Sequence, residues 1–185
     1  MNYLTSKFPT KIKIDDKVYD INADFRNCLT IIMAFEDENL SNMDKYEILV
    51  RRLYKEMPDN IPMAIEKGVR FLDCGKERSE QPLGKRVYKF SKDGQYIYSA
   101  VRQTHQIDLE SIEYLHWWKF VFLFSDLNEK CAFSNMLYLR QRKNEGKLSK
   151  EERKIYLKSR KILDVDYDDE PSDEEREFME RLKGG

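Results

Sequence analysis

Residues Tyr114 to Phe124 read YLHWWKFVFLF, and this stretch decides the fold class. Only His116 and Lys119 are polar, and their spacing of three places both on one narrow helical stripe. A surface helix carries a single apolar stripe, whereas a helix that is apolar on nearly every side is enclosed. Six of these eleven residues are aromatic, and each aromatic side chain buries on the order of 150–250 Å². The segment therefore reads as the central helix of a bundle. Either it is wholly core, or one flank, Trp117 with Phe120 or Phe124, is kept for a partner groove. Tryptophan and tyrosine anchors are typical of interface hot spots, so the two readings are compatible.

The rest of the chain supplies the other helices. Asp24 is placed to cap a helix to about Phe35, with Phe25, Cys28, Leu29, Ile32, Met33 and Phe35 as its apolar stripe. A second helix starts near Asn42, turns Met43, Tyr46, Leu49, Val50, Leu53 and Tyr54 inward, and ends before Pro58. Pro62 suits the first turn of a third, with Ala64, Ile65, Val69 and Leu72 inward and Gly75 as its stop. Lys76 to Arg86 reads as a polar loop. Asp93-Gly94 then precedes a short helix that ends near His105. Asp108 precedes a longer one, Leu109 to about Leu127, and another apolar-periodic stretch follows over Phe133, Met136, Leu137 and Leu139. Before all of these, Lys11–Ile14 and Val18–Asn22 alternate around Asp15-Asp16-Lys17, which predicts a β-hairpin resting on the helical body.

Composition agrees. Charged residues are 36% and hydrophobic residues 41% of 185, with only 7 Gly and 5 Pro, as expected of amphipathic helices with charged outer faces. The expected architecture is a mostly α helical bundle with a small N-terminal hairpin and a charged, partly flexible C-terminal tail. Its core domain spans residues 1–140 and its extension 141–185. Within Arg140–Lys161 there are ten Lys/Arg and three Glu, a local charge of +7; within Asp164–Glu180 there are ten Asp/Glu and one Arg, a local charge of −9. Ser149-x-x-Glu152 is a capping-box pattern for a basic helix over 149–162. An acidic linker, 164–171, and a short helix, 173–182, complete the extension.

Catalytic signatures are missing. His105 and His116 are the only histidines, and their spacing fits no local metal motif. His105 reads as a helix-end residue facing the dipole and His116 as the polar edge of the aromatic helix. Phosphate-binding glycine loops, G-x-S-x-G and H-E-x-x-H are all absent from the sequence. The chain is expected to be no enzyme and to need neither cofactor nor metal. Cys28, Cys74 and Cys131 are three and scattered, the pattern of free buried thiols in a reducing compartment. No run approaches the ~18 apolar residues that span a membrane. The N-terminus shows no signal-peptide pattern, so a cytoplasmic protein is expected. With a net charge of −1, the molecule as a whole is no electrostatic nucleic-acid binder. The basic 140–161 region, with Tyr138 and Tyr156 nearby, is the part suited to a phosphate backbone.

Read in order, Tyr19-Asp20-Ile21-Asn22-x-Asp24-Phe25-Arg26, Tyr96-Ile97-Tyr98-x-Ala100, Ile107-Asp108-Leu109-x-x-Ile112-x-x-Leu115-His116-Trp117-Trp118-Lys119-Phe120 and Leu139-Arg140 form a recognisable series. Over roughly Met1 to Ile162 the sequence resembles the "gene product fifteen" family, tail-region proteins of long-tailed phages and prophages of Gram-positive bacteria. The resemblance implies a tail assembly chaperone, made in the host cytoplasm and absent from the mature virion. It would coat the tape-measure protein and recruit tail-tube subunits, with self-association a further option. The alternatives are a minor structural tail component and, more weakly, a nucleic-acid binder. The family brings no catalytic residues. Candidate partner-binding residues are Trp117, Phe120 and Phe124 on the aromatic segment and Arg140, Arg142, Lys143 and Lys154 in the basic one.

Overall fold

The computed structural model describes residues 2–76 and 87–166. Two strands, β1 (Lys11–Ile14) and β2 (Lys17–Asp20), pair antiparallel with Ile12 opposite Tyr19. Asp15 turns the chain with φ 50°, a left-handed conformation that aspartate tolerates better than most residues. Ile14, Tyr19 and Ile21 are buried, whereas Val18 is exposed. That settles which side of β2 faces inward. The platform beneath is helical. Asn22 donates its backbone N–H to the Leu53 carbonyl at 2.7 Å, and Lys55 donates to Asp20 at 3.0 Å.

Among the described residues eight helices follow: α1 (Phe25–Glu36), α2 (Asn42–Leu53), α3 (Ile61–Leu72), α4 (Phe90–His105), α5 (Trp117–Ser125), α6 (Ala132–Asn144), α7 (Lys150–Lys158) and α8 (Arg160–Leu163). The chain is mostly helical with an N-terminal hairpin, as its periodicity predicts. Caps explain the boundaries. Asp24 accepts the Arg26 N–H at the start of α1, and Ser41 forms a reciprocal capping box with Asp44 at the start of α2. Pro62 lies in the first turn of α3. Cys28, Cys74 and Cys131 are free and buried; burial raises the Cys28 thiol pKa and pushes Cys74 up to about 12.

Several expectations change. α2 buries Leu49, Val50, Leu53 and Tyr54 but leaves Met43 and Tyr46 exposed, because its first two turns lie beyond the core. α3 is rotated from the expected stripe. It turns Ala64, Gly68, Phe71 and Leu72 inward, since a Cβ on Gly68 would stand only 2.7 Å from Leu49 Cδ2. Asp93-Gly94 does not interrupt the chain but lies in the first turns of α4. There Asp93 accepts the Lys89 N–H at 3.1 Å, and Glu36 accepts those of Phe90 and Ser91 at 2.9 and 3.1 Å. A carboxylate at the end of α1 thus satisfies open amides at the start of α4, which compensates for a helix start without a side-chain cap of its own.

The largest correction concerns the aromatic segment. The expected helix from Leu109 to Leu127 is α5 alone, nine residues from Trp117. Upstream, the backbone is committed elsewhere. Phe25 N–H donates to Leu115 at 2.9 Å and Trp117 N–H to Ala23 at 2.7 Å. Arg26 Nη2 donates to the Leu109 and Ile112 carbonyls, at 2.7 Å each. Asp108 does cap, accepting the Glu110 N–H at 3.1 Å, but only a single turn results.

The chain divides into two units, Met1–Asn135 and Met136–Gly185, with the division inside α6. The basic 149–162 stretch is two helices, α7 and α8, with Ser159 between them. Ser149 and Glu152 form the capping box that starts α7. The expected loop over 76–86 apart from Lys76, most of the acidic linker and the short 173–182 helix lie outside the described residues.

Candidate functional site

α5 is fixed by what its polar atoms do. His116 is its N-cap, and Nδ1 accepts the Trp118 N–H at 3.1 Å while Nε2 lies 3.0 Å from the Pro9 carbonyl. Both contacts are satisfied by one species, the neutral imidazole protonated on Nε2. Burial accordingly lowers the His116 pKa, helped by Lys119 and opposed by the Pro9 bond. Trp117 Nε1 donates to the Leu72 carbonyl at 2.9 Å and Trp118 Nε1 to that of Phe71 at 2.8 Å. Two adjacent indoles therefore bond the last carbonyls of α3, groups a helix cannot satisfy internally. Phe25, Trp117 and Phe124 each stack on Phe120, with ring centroids 5.1, 5.8 and 6.4 Å away.

Beside this core lies an open cleft of about 400 Å³. Phe25, Arg26, Leu29 and Met33 of α1 form one wall and Phe90, Gly94, Ile97 and Tyr98 of α4 the other. Leu109 and Glu110 from the turn before α5 and Phe120 of α5 complete the lining. The lining is nearly all apolar. Arg26 is held at the edge by its two carbonyls and lies over the Phe25 ring, 4.6 Å from the centroid. Tyr98 donates its hydroxyl to Asp108 at 2.6 Å, and that bond, with the Glu110 amide, lowers the Asp108 pKa.

Gly94 shapes the opening. A Cβ there would meet nothing within 4 Å, so its missing side chain leaves part of the α4 wall open. Met33, on the opposite wall, is exposed, and a flexible thioether adapts readily to an irregular apolar surface. The volume is in the range of small binding clefts. It suits a few aliphatic or aromatic side chains presented by a larger body.

The seven candidate residues fall in different places. Trp117 and Phe120 are buried, 3% and 1% exposed. Phe124 is half-buried against Tyr88, Phe90 and Phe133. Of these three, Phe120 alone reaches the cleft, so Trp117 is a core residue and a poor probe of binding. Arg140 is buried and donates to the carbonyls of Leu163 and Ile162 at 2.6 and 2.9 Å. Arg142 pairs with Glu152, Lys143 pairs with Asp164, and Lys154 is exposed. His105 ends α4 as expected, with Nε2 2.8 Å from the Leu123 carbonyl of α5.

Periodicity does not single out the cleft residues Leu29, Met33, Gly94 and Ile97 as a site, and marks three of them only as apolar. Gly94 is the available signal: a glycine tolerated inside a helix often has a packing or functional reason. Among the described residues, no group of three or more His, Cys, Asp or Glu side chains is arranged to hold a metal ion. Nor is any described helix long and apolar enough to cross a membrane.

Residues 4–165 match the family model described as Bacteriophage Gp15 protein. No curated protein and no solved structure gives a match.

Proposed function

The chain belongs to the bacteriophage Gp15 protein family, and on that premise we propose that it is a non-enzymatic tail-assembly chaperone that binds the tape-measure protein. The observation that carries this reading is the open apolar cleft between α1 and α4. A tape-measure protein is a long helix whose apolar seams are exposed before the tube closes round it. Side chains from such a seam match the cleft in chemistry and scale, as in helix-in-groove recognition. Weak contacts repeated by many copies along one chain gain strength through multivalency. The same reading puts the protein in the host cytoplasm during assembly and outside the finished virion, with the tail-tube protein as a second partner.

The decisive variant is Gly94→Leu. It fills the cleft from a helical position with room for a side chain, and replacing a helical glycine removes a conformational cost of about 1 kcal/mol. Co-expression of the wild-type chain with the tape-measure protein is expected to give a soluble complex. Gly94→Leu should melt at or above the wild-type temperature yet lose that complex. A wild-type chain that leaves the partner insoluble, or a folded Gly94→Leu that still holds it, overturns the assignment. Stoichiometric recovery of the protein from purified virions would favour a structural tail component instead.

A further inference from the structure

A second recess lies within the C-terminal unit and differs from the first in charge. It is about 310 Å³ and is lined by Lys143, Gly146, Leu148, Arg153, Tyr156 and Leu157. Lys143 belongs to the last turn of α6, Gly146 and Leu148 to the connection, and the others to α7. α7 buries only Tyr156, while Leu157, at the recess, is 63% exposed. Around that leucine the helix is cationic. Counted from Lys150, the residues Arg153, Lys154, Leu157 and Lys158 lie three, four, seven and eight positions on, so all five share one face. The four cations are exposed, and among the described residues no carboxylate pairs with any of them. Glu151 borders this face and offsets one charge of the four. The neighbouring cations are engaged elsewhere: Arg142 by Glu152, Lys143 by Asp164 and Lys147 by Glu145.

We propose that this face of α7, with its recess, is a docking surface for an acidic segment of another protein that seats an apolar side chain against Leu148 and Leu157. Charge complementarity sets the sign of the partner, and the apolar lining sets what its carboxylates must flank. A phosphate backbone would satisfy the cations but leave Leu157 in water. Single-stranded nucleic acid also draws on bases stacked against aromatic faces, and the recess has none to offer. Tyr156 is the one aromatic in its lining and is 5% exposed. Lys143 Nζ stands 4.7 Å from the Tyr156 ring centroid, and the hydroxyl donates to Asp164 at 2.7 Å. An acidic amphipathic segment meets both features. Its carboxylates face Lys150, Arg153, Lys154 and Lys158, while a leucine- or methionine-sized side chain covers the exposed leucine. Charge then speeds the encounter, and the buried apolar anchor holds the complex. The surface is separate from the α1–α4 cleft and does not depend on the function proposed for it.

The probe is a blocked peptide built of Glu-Glu-Leu-Ala units, titrated at low salt into the isotope-labelled full chain while amide shifts are followed. Saturable shifts confined to residues 143–158 are expected. Gln for every Glu in the peptide should abolish binding. Ala for every Leu should weaken it about tenfold, the effect of leaving an apolar anchor in water. R153Q with K154Q should weaken binding about fivefold, the effect of two exposed ion pairs, and flatten its salt dependence. Leu157→Ser should weaken it by a similar factor and leave the salt dependence intact. These variants alter exposed side chains, so wild-type melting is expected of each. Absence of saturable shifts at millimolar peptide overturns the proposal, and so does equal binding of the Leu and Ala peptides. Binding that disappears in Gly94→Leu also overturns it, since the peptide would then sit in the cleft. Oligothymidylate that displaces the peptide at lower concentration would reassign the surface to nucleic acid. The same shifts on concentrating the chain alone would reassign it to a second copy. Shifts at these amides on adding salt to the dilute, peptide-free chain would mean that its own carboxylates already occupy the surface, and the proposal falls.

Discussion

The two units are held together by different physics. In Met1–Asn135, Phe25, Phe71, Trp117, Trp118, Phe120 and Phe133 are all buried, and polar groups such as His116 and Glu36 serve mainly as caps on helix ends. In Met136–Gly185 the described interior centres on Arg140, Tyr156, Leu163 and Asp164. Arg140 bonds the closing carbonyls of α8. Asp164 accepts from Tyr156 and Arg160, at 2.7 Å each, and from Lys143. Size explains the contrast. A unit of more than a hundred residues buries enough apolar surface to pack a core, whereas below about 40 residues a chain needs some other fastening. The second unit, 50 residues long, is close to that limit, and among its described residues a guanidinium and a carboxylate hub supply such a fastening.

The contrast breaks most visibly at Trp118. Trp118→Ala removes a side chain that packs against Tyr3, Phe8 and Phe71 and bonds the Phe71 carbonyl. A loss of about 3–5 kcal/mol is expected, read as a lower denaturation midpoint from the fluorescence of the remaining tryptophan. Exchange over α7 should stay at its wild-type rate. A loss below about 1 kcal/mol would mean that aromatic packing does not hold the first unit.

Arg140→Met is the corresponding break in the second unit. Methionine fills much of the same space but donates no hydrogen bond, so the Leu163 and Ile162 carbonyls lose their Arg140 donor, at a cost of about 1–3 kcal/mol. Faster exchange in α8 and α7 with unchanged tryptophan fluorescence is the expected pattern. If the variant is as stable as wild type, Arg140 is only packing, as some buried ionic groups prove to be.

The same contrast decides how much is legible in the sequence. The apolar periodicity of α1 and α3 and the caps at Asp24, Ser149 and Pro62 are local signals, and they place helices to within a few residues. The enclosure of α5 follows from its composition, but its start does not. Nothing within Leu109–Leu115 announces that its backbone will pair with Ala23–Phe25, some ninety residues earlier. Gly94 misleads as punctuation because the groups that sustain α4 through it, Glu36 and Asp93, act through tertiary contact or burial. For the site, composition points to Phe120 but not to its neighbours on α1 and α4. A cleft is a relation between elements, and periodicity describes each element alone. Arg140 reads as a surface cation because charge runs usually are solvated; only the fold shows it buried.

Acidification sharpens the comparison with the smallest effect. His116 is neutral in the folded chain and its pKa is lowered, chiefly by burial. The unfolded chain therefore takes up this proton first, near the ordinary histidine value of about 6.5. Stability from His116 is complete above that pH and declines as pH falls toward the lowered folded value. Asp164 behaves differently. Burial pushes its carboxyl up, but the bonds from Lys143, Tyr156 and Arg160 outweigh this and hold it at about 2. Its contribution is present above the unfolded carboxylate value of about 3.9 and is lost as pH falls through the folded one. Between pH 7 and pH 5 the tryptophan-reported midpoint of the first unit should thus fall, while exchange over α7 and α8, corrected for its intrinsic pH dependence, holds steady. His116→Asn keeps a side-chain acceptor for the Trp118 amide but cannot titrate, so its first unit should lose this pH dependence. A wild-type slope that survives in His116→Asn would place the acid response elsewhere in the aromatic core.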